Sequence, residues 1–380
     1  MTRTLLVTND FPPALGGIQS YLRDFIGTLD PEETVVFTST QDRAAAVSHD
    51  ADVPYRVHRW HRKIMLPTPA TARAMQGVIR AEKIDTVWFG AAAPLALLAP
   101  AARQAGARRI VASTHGHEVG WSMIPGARAM LRRIGSQCDH VTYISNYTLG
   151  RFRSAFGPAA TFSALPSGVS TDVFCPADEA EKEATRREFG IPGEAPLVVC
   201  ISRLVPRKGQ DQLIRAMPGV LAVNPEVRLL IVGEGSYRRR LSAMITPNLV
   251  DSVQLTGKLD FEAMRRLLAA ADVFAMPCRT RGGGLDVEGL GIVYLEAQAS
   301  GVPVIAGDSG GAPETVTRET GIVVGGRDTG ALTEALNRLL GDADLRSRMG
   351  VAGRQHVLGN WTWDIMGARL RRVLEGTASV

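Results

Sequence analysis

Long apolar runs are missing from this 380-residue chain, and none approaches the ~20 residues that a bilayer-spanning helix needs. That reads against a transmembrane segment. The first apolar stretch, Leu5-Leu6-Val7, follows a single arginine and meets Asn9-Asp10 almost at once, so it reads as an opening strand and not as a signal peptide. Cysteine is scarce as well. The four thiols, at 138, 175, 200 and 278, show no paired spacing of the metal or redox kind, which points to reduced thiols in a cytoplasmic protein. Charge is nearly balanced: 43 basic against 38 acidic side chains leave +5, too mild an excess to argue for a nucleic-acid partner. The G-x-G-x-x-G dinucleotide fingerprint and the acidic residue expected after the second strand are absent, which weighs against a nicotinamide oxidoreductase. The H-E-x-x-H order is absent too, and no divalent-metal site is expected.

What is present is alternation. Short β-branched runs at 5–8, 35–39, 87–90, 110–114 and 141–145 are interleaved with helical patterns at 18–29, 71–82 and 95–105. Runs at 197–202, 229–233, 253–257, 273–277 and 302–307 repeat the theme. Such a pattern predicts a parallel sheet covered by helices on both faces, and here it occurs twice. Prolines and small polar residues at 166–176 interrupt both periods. The predicted domains are therefore 1–167 and 168–357. The tail, 358–380, carries Trp361 and Trp363 and is expected to pack against something. Open parallel sheets bind ligands at the carboxyl ends of their strands, so the two domains are expected to face each other across a cleft.

Four strand-end loops carry the chemistry. In RGGGLDVEGLGIVYLE (281–296), glycines let backbone approach a ligand closely, and the helix that follows offers free amides to phosphate. Glu288 stands before that helix start and Glu296 inside it, a carboxylate on either side for hydroxyls. Arg203 and Lys208, after an earlier strand, are poised for a diphosphate, while Arg207 is expected to face solvent. Gly16-Gly17 precedes a helix and reads equally as a phosphate loop or an ordinary turn. Ser113-Thr-His115-Gly-His117-Glu118 admits three readings: metal ligands, a histidine bonding substrate or developing charge, or a pair bracing a loop. Asp342-Ala-Asp344 reads as a helix cap.

Taken together, the Gly16-Gly17 loop, His115, the Arg203…Lys208 pair and Glu288-x7-Glu296 resemble the retaining glycosyltransferases of family 4 over essentially the whole chain. The stretches NDFPP…GGIQSYL, STHGHEVGWSM, SRLVPRKGQD and MPCRTRGGGLDVEGLGIVYLEA narrow the likeness to members that use GDP-mannose and act on phosphatidylinositol monomannoside. The resemblance implies the GT-B architecture, two Rossmann-like domains, with the C-terminal helix crossing back to the first. It implies retaining transfer of mannose through an α-1,6 bond, in the making of phosphatidylinositol mannosides, lipomannan and lipoarabinomannan, with no metal or other cofactor. By position, Gly17 would approach the donor phosphates, and Arg203 and Lys208 would hold the diphosphate with the amides of Gly289, Leu290, Gly291 and Ile292. Glu288 would hold the mannose, Glu296 the ribose, and Leu259 and Asp260 would lie near guanine. His115 would lie by the transferred sugar, with Gln19 and His117 on the acceptor side. The resemblance leaves two rivals standing: another lipid or sugar acceptor, and a protein that binds a sugar nucleotide without turning it over.

A lipid acceptor must be met at a surface. The segment 56–66 (RVHRWHRKIML) mixes cations with apolar residues, and Arg128, Arg132, Arg133, Arg151 and Arg153 follow. These suit an anionic membrane, here the inner face of the plasma membrane, although a solvated face is the better reading of any single cluster taken alone.

Overall fold

The computed structural model describes residues 2–377. The chain divides into two compact units, one of residues 2–168 with 363–377 and one of 169–362. In the first, seven strands form: β1 (Thr4–Thr8), β2 (Thr34–Thr38), β3 (Arg56–Arg59), β4 (Thr86–Phe89), β5 (Arg109–Ser113), β6 (His140–Tyr143) and β7 (Phe162–Ala164). Their order is β3-β2-β1-β4-β5-β6-β7, every pairing parallel. The central strands are buried throughout, as β-branched runs covered on both faces must be. The winding reverses between β1 and β4, so the loops leaving their carboxyl ends flank the switch point.

The second unit adds β8 (Leu197–Ile201), β9 (Arg228–Val232), β10 (Val253–Gly257), β11 (Val273–Met276), β12 (Val304–Gly307) and β13 (Gly321–Val324). Their order is β10-β9-β8-β11-β12-β13, again all parallel. Here the winding reverses between β8 and β11. The loop with Arg203 and Lys208 leaves β8, and the loop with Glu288 leaves β11.

Three strands escape the sequence pattern, and all are outer ones. β3 reads Arg-Val-His-Arg, alternating cations that hide a strand. β7 is only three residues long. β13, Gly-Ile-Val-Val, is short and half exposed at the edge of its sheet.

The tail divides differently from the prediction. Residues 358–360 still belong to the helix Ala343–Asn360 of the second unit, and the returning helix is Trp363–Glu375. Residues 378–380 of the predicted tail lie outside the described residues. The two tryptophans serve different units. Trp361 stays with the second: its carbonyl accepts from Val169 N–H (2.7 Å) and its indole meets His356 (3.0 Å). Trp363 packs edge-on to Phe25 of the first at 5.1 Å between ring centroids. Behind it, Met366, Leu370, Val373 and Leu374 are buried, and the Val373 carbonyl accepts from Arg109 Nε (2.7 Å).

Candidate functional site

The loop after β8 is built to aim cations. Gln210 is fully buried, and its Nε2 donates to Ser202 Oγ (2.8 Å) and to the Arg203 carbonyl (3.0 Å), fixing that stretch from below. Arg203 is exposed, and its guanidinium has no protein partner among the described residues. Lys208 closes the 3-10 turn Pro206–Lys208, one step short of the helix Gln210–Leu221. The step between is Gly209 at φ +79°, where a Cβ would lie 2.0 Å from the Pro277 carbonyl oxygen. Only glycine lets the two switch-point loops meet there.

Lys208 Nζ lies 2.6 Å from Glu288 Oε2, both side chains largely buried. Residues eighty positions apart are thereby joined. Glu288 is seated by its backbone: its N–H donates to Ser309 Oγ (3.2 Å) and its carbonyl accepts from Gly311 N–H (2.9 Å). After it, the amides of Gly289, Leu290, Gly291 and Ile292 donate to no protein acceptor among the described residues. The helix Ile292–Ala299 starts at Gly291, φ +88°, with no side-chain cap. Uncapped amides beside a lysine are the expected features of a phosphate site. Glu296, four residues into the helix, makes no hydrogen bond or ion pair through its carboxyl. Burial alone pushes that group up to about 7.

One expectation in this unit needs revision. Arg207 does not face solvent: its side chain is 21% exposed, and Nη1 donates to Asp286 Oδ1 at 3.3 Å, with Nε 3.9 Å from Glu288. The turn at 281–286 gives Arg207 a carboxylate to hold. Asp260 caps the helix Phe261–Ala269, accepting from Ala263 N–H (2.8 Å), which already commits one of its oxygens; Leu259 packs against the core of the second unit. Asp342 is a helix cap as read, accepting from Leu345 N–H at 2.8 Å.

In the first unit, Gly16 is the N-cap and Gly17 the first residue of the helix Gly17–Ile26, which has no side-chain cap. A Cβ on Gly17 would meet nothing, whereas one on Gly16 would strike Gln19 Oε1. Gln19 curls back there and donates to Asp10 Oδ1 (3.1 Å), whose carboxyl is raised by burial and lowered in part by nearby His117. Loop geometry thus pairs Gln19 with a carboxylate that sequence reading passed over.

Beyond β5, the histidines take unlike jobs. His115 Nε2 lies 2.6 Å from the Gly90 carbonyl oxygen. A carbonyl can only accept, so Nε2 carries the proton and Nδ1 keeps its lone pair. Burial, helped by His117, lowers this imidazole to about 4 even against the Gly90 bond, so it is neutral at neutral pH. A neutral His115 accepts a hydrogen bond; it does not bring a positive charge to the reaction. Glu118, fully buried, uses Oε2 to accept from the amides of His115 and Gly116 (3.1 Å each) and faces His117 Nε2 with Oε1 at 3.2 Å. The trio therefore braces a loop, and its donor atoms do not converge on one point. No group of three or more His, Cys, Asp or Glu side chains that could hold a metal occurs among the described residues.

Missed by sequence reading were Asp286, Ser309 and Asp10. Only the glycine pair at 310–311, following a strand, carried a signal that could have drawn attention to Ser309.

Comparison with known proteins places these loops. Residues 15–173 match the family model described as Glycosyltransferase Family 4, and residues 181–356 that described as Glycosyl transferases group 1. The chain is 60% identical to the GDP-mannose-dependent monoacylated α-(1-6)-phosphatidylinositol monomannoside mannosyltransferase of Corynebacterium glutamicum, over 98% of both chains. It is 54% identical, again over 98% of both, to the GDP-mannose-dependent α-(1-6)-phosphatidylinositol monomannoside mannosyltransferase of Mycolicibacterium smegmatis. Among solved structures, Anabaena HepE in complex with UDP matches with a TM-score of 0.81 at 20% identity, over 99% of this chain and 100% of that one. Sucrose-phosphate synthase of Thermosynechococcus elongatus matches at 0.77 and 23%, over 99% and 100%. At those identities the two structures speak for the fold alone.

Proposed function

The chain belongs to the family 4 glycosyltransferases, of GT-B fold, and we propose that it moves mannose from GDP-mannose to phosphatidylinositol monomannoside through an α-1,6 bond, with retention at the anomeric carbon. The observation that carries this reading is the 60% identity over 98% of both chains with an enzyme of that name.

The site chemistry supports it. In the proposed reaction the bond from mannose C1 to the β-phosphate oxygen breaks, and its electron pair stays on the diphosphate. The acceptor hydroxyl attacks C1 from the same face and gives its proton to that departing phosphate. The protein's task is then to stabilise charge as it grows on the diphosphate. Lys208 and the amides of Gly289 to Ile292 are set in place in advance for this, which is where electrostatic catalysis is most effective, and the exposed Arg203 guanidinium joins them. We assign that charge to these groups, with no divalent ion needed. Glu288 takes mannose hydroxyls, Glu296 the ribose diol, and neutral His115 a sugar hydroxyl through Nδ1. Gly17 offers amides to phosphate from the first unit, Gln19 and His117 serve the acceptor, and Leu259 and Asp260 border guanine.

The acceptor's lipid implies a membrane, and no helix among the described residues is long and apolar enough to cross one. We assign docking to the anionic inner face of the plasma membrane through 61–66, where Arg62 and Lys63 are exposed beside Ile64 (62%) and Leu66 (56%). The rest of the basic segment is committed elsewhere: Arg56 and His58 hold Glu82, and Arg59 holds Asp50 at 2.7 Å. Exchanging Arg62 and Lys63 for glutamate is expected to abolish co-sedimentation with anionic vesicles, and unchanged retention would remove the assignment.

Radiolabelled GDP-mannose with phosphatidylinositol monomannoside in micelles, with and without chelator, tests the whole reading. A dimannosylated lipid formed equally in both supports donor, acceptor and metal independence. GDP release without lipid product redirects the search to other acceptors.

A further inference from the structure

A cluster of arginines in the second unit has no part in the chemistry above. Arg215, Arg279, Arg281 and Arg327 line a cavity of about 330 Å³ together with Asp211 and Tyr237. None of Arg203, Lys208, Glu288 or Glu296 borders it. Two of its arginines belong to the loop after β11, one to the helix Gln210–Leu221 and one to the turn after β13, so three chain segments supply them.

The charges do not balance. Asp211, 3% exposed, faces Arg279 Nη2 at 2.9 Å and Arg215 Nη1 at 3.2 Å. Asp286 is shared between Arg207 at 3.3 Å and Arg281 at 3.5 Å. Among the described residues Arg327 donates only to the Thr280 carbonyl, at 3.2 Å. The four guanidinium groups that line the cavity thus meet two carboxylates, one of which is shared with Arg207. Arg279, 8% exposed, also has a buried Nη1 with no hydrogen-bond partner. A buried cationic donor left unanswered is costly, and so is crowding of like charges. Guanidinium forks converging from separate elements answer both costs when a group with several anionic oxygens sits among them. The adjoining cavity, about 550 Å³, shares Arg279 and Arg327 but is bordered by Asp308 and Asp328, which makes it the poorer host.

We propose that the Arg215–Arg279–Arg281–Arg327 cavity is a second anion site, taking a phosphate group and separate from the sugar-nucleotide site. The phosphate can come from a free phosphorylated solute or from a lipid headgroup, and the experiment separates the two. Full-length protein is first titrated with GDP; absence of GDP binding would count against the donor reading and leave this one standing. Pyrophosphate is then titrated calorimetrically into protein saturated with GDP, or without GDP if none binds. The same is done for the doubly substituted Arg281→Ala/Arg327→Ala protein, whose altered side chains are exposed and whose melting temperature is checked against wild type. In parallel, both proteins are sedimented with phosphatidylinositol-containing vesicles.

Pyrophosphate binding that weakens about tenfold or more in the variant, with vesicle retention unchanged, supports a free phosphate. Vesicle retention that drops in the variant and is competed by pyrophosphate in the wild type supports a headgroup. If neither probe distinguishes variant from wild type, the site does not exist.

Discussion

Lys208 and Glu288 sit 2.6 Å apart, so neither is a free charge before a donor arrives, and each substitution at the pair has two consequences. Lys208→Met removes a cation from the diphosphate, and losing one such fixed group typically costs about 10²–10³ in turnover. It also leaves Glu288, 8% exposed, with no cation nearer than Arg207 Nε at 3.9 Å, and breaking a buried pair typically costs about 3–5 kcal/mol. The expected outcome is a chain with both lower turnover and a lower melting temperature. Adding Glu288→Gln should restore the melting temperature and leave turnover low; recovery of turnover would show that the pair is merely structural. Glu296 calls for a pH experiment. Its folded value of about 7 lies above the ordinary 4.5, so the folded chain keeps a proton that the unfolded chain releases. Folding stability contributed by this group therefore falls as pH rises from about 4.5 to 7, and the penalty is constant above that. A ribose diol donates to the ionised form, so GDP-mannose should bind with proton release below about pH 7 and more weakly as pH drops. Calorimetry in two buffers of different ionisation enthalpy reads that proton. Glu296→Gln should abolish the release and flatten the pH dependence in this window; an unchanged profile would take Glu296 out of the donor site.

Between the residue and the fold stand the loops, and Gly310 shows how tightly they are set. It has φ +60°, and a Cβ there would lie 1.8 Å from the Glu288 carbonyl oxygen. Gly310→Ala has to push the Glu288 backbone aside and also suffers left-handed strain, so a loss of about 2–4 kcal/mol is expected. Donor binding should fall with it, and a variant that melts lower yet binds GDP-mannose normally would uncouple this turn from Glu288. This element is also where legibility in the sequence ends. Central strands could be read because burial on both faces forces runs such as Leu5-Leu6-Val7 and Val35-Val36-Phe37 to be continuously apolar. Arg203, Lys208, Glu288 and Glu296 could be singled out because glycines and strand ends mark where a ligand must sit. What stayed hidden depends on partners distant along the chain. Arg207 looks like a surface cation until Asp286, 79 residues on, is folded beside it. Glu118 looks like a metal ligand until its Oε2 is seen to accept from two backbone amides. Arg56 and His58 look like a membrane patch until the helix Pro69–Glu82 brings Glu82 against them.

Over the whole molecule, the chain leaves its first unit after Gly168 and re-enters it at Trp363. The returning helix is part of that unit's core in a physical sense. Met366 and Leu370 are fully buried, Gly367 sits where a Cβ would strike Thr28, and Arg371 Nη1 donates to the Thr28 carbonyl at 2.7 Å. Thr86 Oγ1 of β4 donates to the Leu374 carbonyl, and Arg109 of β5 to that of Val373. Burying a large apolar side chain typically contributes about 1.5–3 kcal/mol, so Met366, Leu370, Val373 and Leu374 together rival the whole stability of an ordinary domain. A chain ended after Thr362 should therefore lose amide-exchange protection in β1, β4 and β5. Strands β8, β9, β11 and β12 lie in the second unit, which Trp361 and the Val169–Thr362 bridge close with its own residues. Their protection should be unchanged, and GDP should still be bound through Lys208 and the amides after Glu288. Loss of protection spread evenly over both sheets, or none in either, would mean that the tail does not belong to the first unit alone.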